Sequence, residues 1–328
     1  MSIFLDNIKT EYEGELPFVR VKYDGAYNLA KTLDCGQCFR WERVNDDEWL
    51  GVAFGRLISV KQIDDELIIY NSTAEDFNDI WCHYFALDED YEKIDSELLE
   101  NCQNPTFLEA LERGKGIRIL HQDSWEAVCS FIISQNNNIP RIKKIIDALS
   151  FALGKQIDAT LMENHGARGR EFYSFPTADA ILSAGEEFIF SLKTGFRAKY
   201  IIDAASKWCD GTVNEEELKQ IEALEDALEY LCKVKGIGLK VASCALLFGF
   251  ERHDPFPIDV WMKRVLDKYF EKDFNPDTFG KYAGVAQQYL FDYERNNACF
   301  LDKLGFVGEF ALTLCYVLST FSKVALHE

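Results

Sequence analysis

The chain has 328 residues, of which 48% are hydrophobic and 14% aromatic, and this composition excludes a disordered protein. Its net charge of −20 should repel the phosphates of nucleic acid over most of the surface. Binding to nucleic acid would therefore need Lys and Arg gathered on one face. Ten scattered cysteines lack the spacing of a disulfide scaffold, and the acidic start lacks a basic and apolar leader. We therefore expect no secretion signal and an address in the cytoplasm, nucleoid or nucleus.

The first part of the chain alternates apolar and polar residues, as is typical of β-strands. Four such runs are separated by Gly-containing or Asp-Asp breaks, at 18–23, 38–44, 48–63 and 66–71. The pattern predicts an antiparallel sheet.

Helical spacing replaces this alternation from Ala74 onward, with apolar residues recurring every three to four positions. Strands followed by helices indicate an α+β fold. We expect an N-terminal antiparallel β domain with a flanking helix at 1–100 and an all-helical domain at 101–297. The clearest predicted helices span 125–135, 141–153, 223–234, 240–250, 260–270 and 283–295.

The remaining segment, 298–328, contains a dense apolar run at 306–318 that is interrupted by Glu309. A membrane span needs roughly 20 predominantly apolar residues, so a packed or partner-binding helix is the better interpretation. The sequence assigns this tail no function, and no membrane partner is expected.

The stretch from Lys233 to Val265 carries the most chemistry. Gly236 and Gly238 flank Ile237 at the point where one helical pattern ends and the next begins. Glycine lets backbone amides approach a ligand closely, and free amides at a helix start bind phosphate. We expect Gly236, Gly238 and the following Val241 to form a phosphate-binding hairpin, although a lone Gly-x-Gly is often an ordinary helix connection.

Lys240 opens the helix after this hairpin, and Asp259 follows two prolines that favour an extended approach. A free lysine amine can act as a nucleophile, and a carboxylate can stabilise an oxocarbenium-like centre. The alternatives are a lysine that only touches a phosphate and an aspartate that only caps the next helix.

Together these residues resemble the helix-hairpin-helix glycosylases, whose lyase-type members combine the hairpin, a following lysine and an aspartate within a Pro-Val/Ile-Asp-Val context. Here that context is Pro257-Ile258-Asp259-Val260. The resemblance runs from about residue 20 to residue 295. Four further stretches narrow it to the 8-oxoguanine DNA glycosylases: GQCFRW at 36–41, SQNNNIPRI at 134–142, GFRAKYI at 195–201 and GVAQQYLF at 284–291.

The resemblance implies a bifunctional base-excision-repair enzyme that flips 8-oxoguanine out of duplex DNA. It implies that Lys240 displaces the base, forms a Schiff base and permits strand cleavage by β-elimination, making the protein also an abasic-site lyase. Asp259 is the implied catalytic carboxylate. The expected partner is double-stranded DNA containing oxidised guanine, bound by a monomer.

For the base pocket, the resemblance implies that the flipped purine stacks between Cys244 and Phe291 while Gln287 reads its Watson-Crick edge. Pro257 belongs to the same pocket, and the carbonyl of Gly36 accepts the N7 hydrogen that 8-oxoguanine has and guanine lacks. Considered without the resemblance, Cys244 and Phe291 would be core residues and Gly36 a turn glycine.

For the opposite strand, the resemblance implies that Asn136, Arg141 and Arg197 contact the orphaned cytosine and that Phe196 wedges the duplex. An Asn run is equally typical of a turn with a helix cap. Trp261 departs from the family, because this position often holds a phosphate-contacting histidine. Three local basic groups could offset the acidic charge, although each alone would be a solvated surface: Arg141, Lys143 and Lys144; Lys193, Arg197 and Lys199; and Lys233, Lys235 and Lys240.

No cofactor or metal ligand is expected. Only Cys299 and Cys315 follow Asp259, which excludes the four-cysteine iron-sulfur cluster of some superfamily members. A monovalent or divalent cation could bind the hairpin carbonyls. Two other functions compete: a glycosylase for another damaged purine such as an alkylated base, which normally lacks the lysine, and a non-catalytic DNA-binding module, which needs neither Lys240 nor Asp259.

Overall fold

The N-terminal part of the fold is one antiparallel sheet, as the alternation predicts. The computed structural model describes residues 8–23 and 25–297. The strand order in the six-stranded sheet is β1-β2-β6-β5-β4-β3. The strands are β1 Thr10–Glu13, β2 Leu16–Lys22, β3 Trp41–Arg43, β4 Glu48–Ala53, β5 Arg56–Ile63 and β6 Glu66–Tyr70.

Helices make up most of the rest, so the α+β prediction is confirmed. One short pair of strands, β7 Gln156–Ile157 and β8 Phe172–Tyr173, interrupts the second half, which is therefore mostly rather than entirely helical. The helices are α1 Leu29–Asp34, α2 Ala74–Asp76, α3 Cys82–Tyr84, α4 Tyr91–Asn101, α5 Pro105–Gly114, α6 Ser124–Ser134, α7 Ile139–Leu153, α8 Ala178–Ile189, α9 Ala198–Cys209, α10 Glu215–Lys219, α11 Leu224–Cys232, α12 Leu239–Gly249, α13 Val260–Tyr269 and α14 at 283–297.

The sheet is covered on both faces. On the inner face, Val60 and Ile69 lie opposite each other and pack in one cluster with Trp81. On the outer face, Leu57 packs with Met162, which lies between β7 and β8. Leu57 and its neighbour Ile58, which packs in the inner cluster, thus enter different cores, because successive strand side chains point to opposite faces. The segment at 156–173 therefore returns from the helical half to cover the sheet.

The helical core is organised around α12. All its residues from Val241 to Gly249 are buried. Gly249 allows α6 to approach, since a Cβ there would lie 2.6 Å from the Cβ of Ala127. A helix buried on every side is a rigid support for whatever its exposed N-terminus carries.

No helix within 8–23 and 25–297 combines the length and apolar character that crossing a membrane requires. The apolar run at 306–318 lies outside the described residues, as do Cys299 and Cys315. The boundaries at 100 and 297 stay predictions.

Candidate active site and nucleic-acid interface

The hairpin between α11 and α12 has the expected form. Gly236 adopts a φ of +83°, and a Cβ there would lie 2.3 Å from the ring of Tyr200, so only glycine fits. Gly238 has extended backbone, is exposed, and would carry a Cβ with no heavy atom within 4 Å. Gly238 is the N-cap of α12, and no side chain makes a capping hydrogen bond there. The first amides of α12, including that of Val241, therefore receive no side-chain cap, as a phosphate site requires.

Lys240 and Asp259 converge on Cys244, one turn along α12 from the lysine. Burial raises the pKa of the Cys244 thiol, the hydrogen-bonded Lys240 lowers it, and the Asp259 carboxylate raises it again. Both charges therefore act on this one thiol, which lies one turn from the N-terminal end of α12.

Asp259 is also the N-cap of α13. Its Oδ1 accepts a hydrogen bond from the amide of Met262 at 2.8 Å. Pro257, which is buried, lies two residues before Asp259, and α13 begins directly after Asp259. The capping interpretation is thus present in the structure and orients the carboxylate, because a cap fixes the side chain against the helix start.

Phe131 connects Lys240 to the loop that contains Gly36. Its ring centroid lies 6.0 Å from Lys240 Nζ and 5.8 Å from the ring of Phe39. Gly36 has a φ of +81°, and a Cβ there would lie 3.7 Å from Cε1 of Phe291. The loop, the lysine and α14 therefore border one region of the molecule, although Gly36 and Phe291 are far apart in sequence.

Gln287 lies one turn before Phe291 on α14 and is 5% exposed. Its Oε1 accepts a hydrogen bond from Nε2 of Gln288 at 3.0 Å. This contact orients the Gln287 amide and leaves its nitrogen as the group that can donate to a ligand.

Gln37 is a site residue that sequence reasoning missed. Its side chain is fully buried, and Nε2 donates to the carbonyls of Thr32 and Arg118 at 2.8 Å each. Its Oε1 accepts from the amide of Leu120 at 2.8 Å. These bonds fix the loop after Gly36 to the segment that joins the two halves. The only signal in the sequence for this role was a glutamine between Gly36 and Cys38.

The Asn-rich segment caps a helix and also exposes polar side chains, so its geometry is compatible both with a helix cap and with contacts to DNA. Asn138 caps α7, accepting from the amide of Arg141 at 3.0 Å. Asn136 is exposed and adopts a φ of +48°, a left-handed conformation that Asn tolerates better than most residues. The side chains of Asn136 and Arg141 are thus both available to a ligand.

Arg197 is only 3% exposed, in contrast to an arginine poised at a surface. Its Nε donates to the carbonyl of Gln135 at 2.9 Å and its Nη2 to that of Asn136 at 3.1 Å. Burial, and then the charge of Arg141, lowers the pKa of this guanidinium. Arg197 therefore holds the Asn136 segment in place.

Phe196 is 47% exposed, and the Cζ atom of Arg197 lies 4.4 Å from its ring centroid. An aromatic ring held outward by a buried neighbour suits a wedge. Other large apolar side chains are exposed near the hairpin and Asp259: Leu239, Ile258, Val260 and Trp261.

The three basic groups are only partly available to DNA. Lys235 is exposed but pairs with Asp203 at 3.5 Å, and Nζ of Lys143 donates to the carbonyl of Trp41 at 2.6 Å. The other exposed cations of the three groups are Arg141, Lys144, Lys193, Lys199 and Lys233. Trp261 lies near a further one, with the Arg264 Cζ 5.7 Å from its ring.

Several known proteins are similar to this chain in both sequence and fold. Residues 21–128 match the family model for the N-terminal domain of 8-oxoguanine DNA glycosylase. The chain is 30% identical to the N-glycosylase/DNA lyase OGG1 of Arabidopsis thaliana over 295 residues, covering 80% of this chain and 76% of that protein.

Two solved structures extend the similarity to most of the fold. MBOgg1 in complex with a low-affinity DNA ligand is 39% identical, with a TM-score of 0.79 over 89% of this chain and 100% of that one. The Clostridium acetobutylicum 8-oxoguanine glycosylase/lyase, bound to double-stranded DNA with cytosine opposite 8-oxoG, is 35% identical. Its TM-score is 0.78 over 91% of this chain and 100% of that one. The chain therefore belongs to the 8-oxoguanine DNA glycosylase family of helix-hairpin-helix proteins.

Proposed function

We propose that this protein excises 8-oxoguanine from duplex DNA in base excision repair and then cleaves the abasic strand. The observation that carries this proposal is that Lys240 follows the uncapped hairpin and that its charge and the Asp259 carboxylate both act on the Cys244 thiol. A DNA-binding module without catalysis would need neither charged group. The sequence relationship to an N-glycosylase/DNA lyase supports the same reaction.

In the proposed reaction, the neutral Lys240 Nζ attacks C1′ of the damaged nucleoside, and the glycosidic bond breaks with its electron pair leaving on the base. The base takes up a proton. Loss of the amine proton and opening of the sugar ring then give a Schiff base at C1′. Removal of a C2′ proton expels the 3′ phosphate and nicks the strand. The Asp259 carboxylate stabilises the positive charge that develops on the sugar during the first step.

Lesion recognition is proposed to rest on the region between Gly36 and Phe291. The left-handed backbone of Gly36 lies against the Phe291 ring, which can stack on a purine. Gln287, held by Gln288, can donate to the base edge. The Gly36 carbonyl would accept the N7 hydrogen of 8-oxoguanine, and Pro257 and Cys244 would complete the pocket.

The opposite strand is proposed to meet the exposed Asn136 and Arg141, with Phe196 entering the duplex. The base removed from the stack leaves a gap that polar side chains can fill. Arg197 supports this segment through the Gln135 and Asn136 carbonyls and is proposed also to contact the orphaned base.

Excision measured on matched duplexes tests the proposed substrate. Under single-turnover conditions we expect removal of 8-oxoguanine, no removal of guanine, and roughly a ten- to hundredfold loss for an analogue that keeps the 8-oxo group but lacks the N7 hydrogen. Equal excision of the analogue would contradict the role of Gly36. An alkylated purine excised faster than 8-oxoguanine would favour the competing glycosylase, and repeating the assay with each opposite base gives the preference for cytosine.

The two hairpin glycines should respond differently to a methyl group. Gly238→Ala adds its Cβ to open space, so we expect little change in melting temperature but weaker binding to undamaged duplex, because the methyl group obstructs the phosphate approach. Gly236→Ala meets Tyr200 and a positive φ, so it should lower stability by at least about 1 kcal/mol.

Thermal unfolding and fluorescence anisotropy on both hairpin variants check this expectation. Normal DNA affinity in Gly238→Ala would remove the hairpin from the DNA interface. Unchanged stability in Gly236→Ala would contradict the close approach of Tyr200.

We expect the protein to act as a monomer in the cytoplasm, the nucleoid or the nucleus. A cation on the hairpin carbonyls would add to the phosphate site but is not required by the reaction above. Neither the hairpin amides nor Lys240 depends on a cofactor for its proposed role.

A further inference from the structure

Three of the four histidines within the described residues meet at one place, away from the hairpin. His83 lies within α3 in the N-terminal half, His121 lies in the segment before α6, and His253 follows α12. The rings of His83 and His121 stack with their centroids 4.3 Å apart. They are so distant along the chain that no spacing motif connects them.

Glu89, His121 and His253 offer one ligand atom each, and these atoms all lie within 4.8 Å of one another. Glu89 Oε1 lies 3.1 Å from Nε2 of His121 and 3.6 Å from Nε2 of His253. Two ligand atoms bound to Zn²⁺ at about 2.1 Å in a tetrahedral arrangement stand about 3.4 Å apart. The two separations from Glu89 bracket that value, and the ligand atoms of the two imidazoles lie within 4.8 Å of each other.

Glu89 Oε1 and His121 Nε2 are hydrogen-bonded to each other at 3.1 Å, but three other polar atoms of these residues are poorly satisfied by the protein. The contact of 3.6 Å between Glu89 and His253 is too long for a hydrogen bond, and His253 Nε2 is buried without another partner among the described residues. Glu89 Oε2 is also buried and unpartnered there, as is Nδ1 of His121, a residue only 4% exposed. Buried polar atoms without partners are rare, and an ion is one explanation for them.

We propose that Glu89, His121 and His253 bind one divalent transition-metal ion, with Zn²⁺ the ion that this ligand set fits best. Two imidazoles and one carboxylate form a borderline ligand set, which Zn²⁺ accepts and Mg²⁺ or Ca²⁺ disfavours. A solvent molecule or the second Glu89 oxygen would complete four-coordination. His83, paired with Asp88 at 3.0 Å and Glu251 at 3.3 Å, lies beside the ion as a neighbour and not as a ligand.

The ion would join three segments that backbone hydrogen bonds already bring together. The amide of His121 donates to the carbonyl of Tyr84 at 3.1 Å, and that of Gln122 to the carbonyl of Phe248 at 3.2 Å. The carbonyl of His253 accepts from the amide of Gly284, on α14, at 2.7 Å. The metal would thus anchor the start of the loop that leads to Asp259, and it is a structural site distinct from the reacting atoms.

Metal titration of the full chain, stripped with a chelator, tests the site. We expect one equivalent of Zn²⁺ to bind and the melting temperature to rise by about 5 °C at a hundredfold excess over the dissociation constant. Co²⁺ should give the visible spectrum of a four-coordinate nitrogen and oxygen site. A cobalt–thiolate charge-transfer band would assign the metal to cysteines and overturn the proposal, as would the absence of any binding.

Matched histidine variants locate the ion. His121→Gln and His253→Gln should each weaken Zn²⁺ binding by at least about tenfold, since even partners outside the ligand set typically contribute that much. His165→Gln is the control, because His165 pairs with Glu48 at 2.6 Å in a different cluster and should leave the stoichiometry intact. Binding retained in His253→Gln but lost in His83→Gln would move the metal to the group of His83, His121 and Glu251 and contradict the proposal.

Discussion

Lys240→Gln is expected to abolish both base excision and borohydride trapping while lesion-containing DNA still binds. Glutamine has no nucleophilic amine, so neither the displacement at C1′ nor the Schiff base can form. Binding should persist because the hairpin amides, the Gly36 loop and Phe291 do not depend on the lysine side chain. Single-turnover excision, trapping gels and anisotropy on one 8-oxoguanine duplex measure all three quantities.

Lys263→Gln serves as the matched control for this variant. Lys263 is an exposed lysine on α13, four residues after Asp259, and has no role in the proposed reaction. It should keep normal trapping. Trapping that survives in Lys240→Gln would assign the reactive amine to another group, and loss of DNA binding in that variant would indicate a damaged hairpin in place of a missing nucleophile.

Asp259→Asn is expected to lower the single-turnover excision rate on the order of a hundredfold or more with a smaller effect on DNA affinity. The substitution separates two roles that the structure combines in one carboxylate. Asparagine caps a helix about as well as aspartate, so the hydrogen bond from the Met262 amide should survive while the negative charge is lost. Stability should therefore stay close to that of the unaltered protein.

Two further variants make the Asp259 experiment decisive. Asp259→Ala removes cap and charge together and should cost about 1 kcal/mol of stability in addition to the loss of rate. Asp123→Asn makes the same chemical change at the N-cap of α6, where Asp123 accepts from the amide of Glu126 at 2.8 Å. An unchanged excision rate in Asp259→Asn would reduce Asp259 to a helix cap.

The fold could be predicted where hydrophobic periodicity is strong. The helix expected at 240–250 occurs as Leu239–Gly249, and the strand runs appear as β2 to β6. Thr10–Glu13 was not predicted, because a strand with mostly exposed residues has no buried face to reveal it. The two-residue strands β7 and β8 are likewise too short to establish a period, and their pairing depends on the long-range cover that they give the sheet.

The candidate site could be predicted in so far as it is local in sequence or shared with the family. Gly236, Lys240 and Asp259 lie within one short stretch, and the charges of Lys240 and Asp259 both act on the Cys244 thiol. The burial of Arg197 could not be foreseen, because it depends on backbone carbonyls of a distant loop. The same holds for Gln37, whose partners become neighbours only after both halves fold. The site roles themselves stay predictions until the variants are measured.

Because the segment 156–173 covers the outer face of the sheet, that face stays uncovered until the segment has been synthesised. Leu57 is synthesised long before Met162, which covers it. At about 5 to 20 residues per second, the intervening chain takes roughly 5 to 20 s to emerge. Throughout that interval Leu50, Val52 and Leu57 have no partner from the helical half. A chain truncated anywhere before β7 would keep this apolar surface permanently, so we expect such fragments to aggregate even though every strand of the sheet is present.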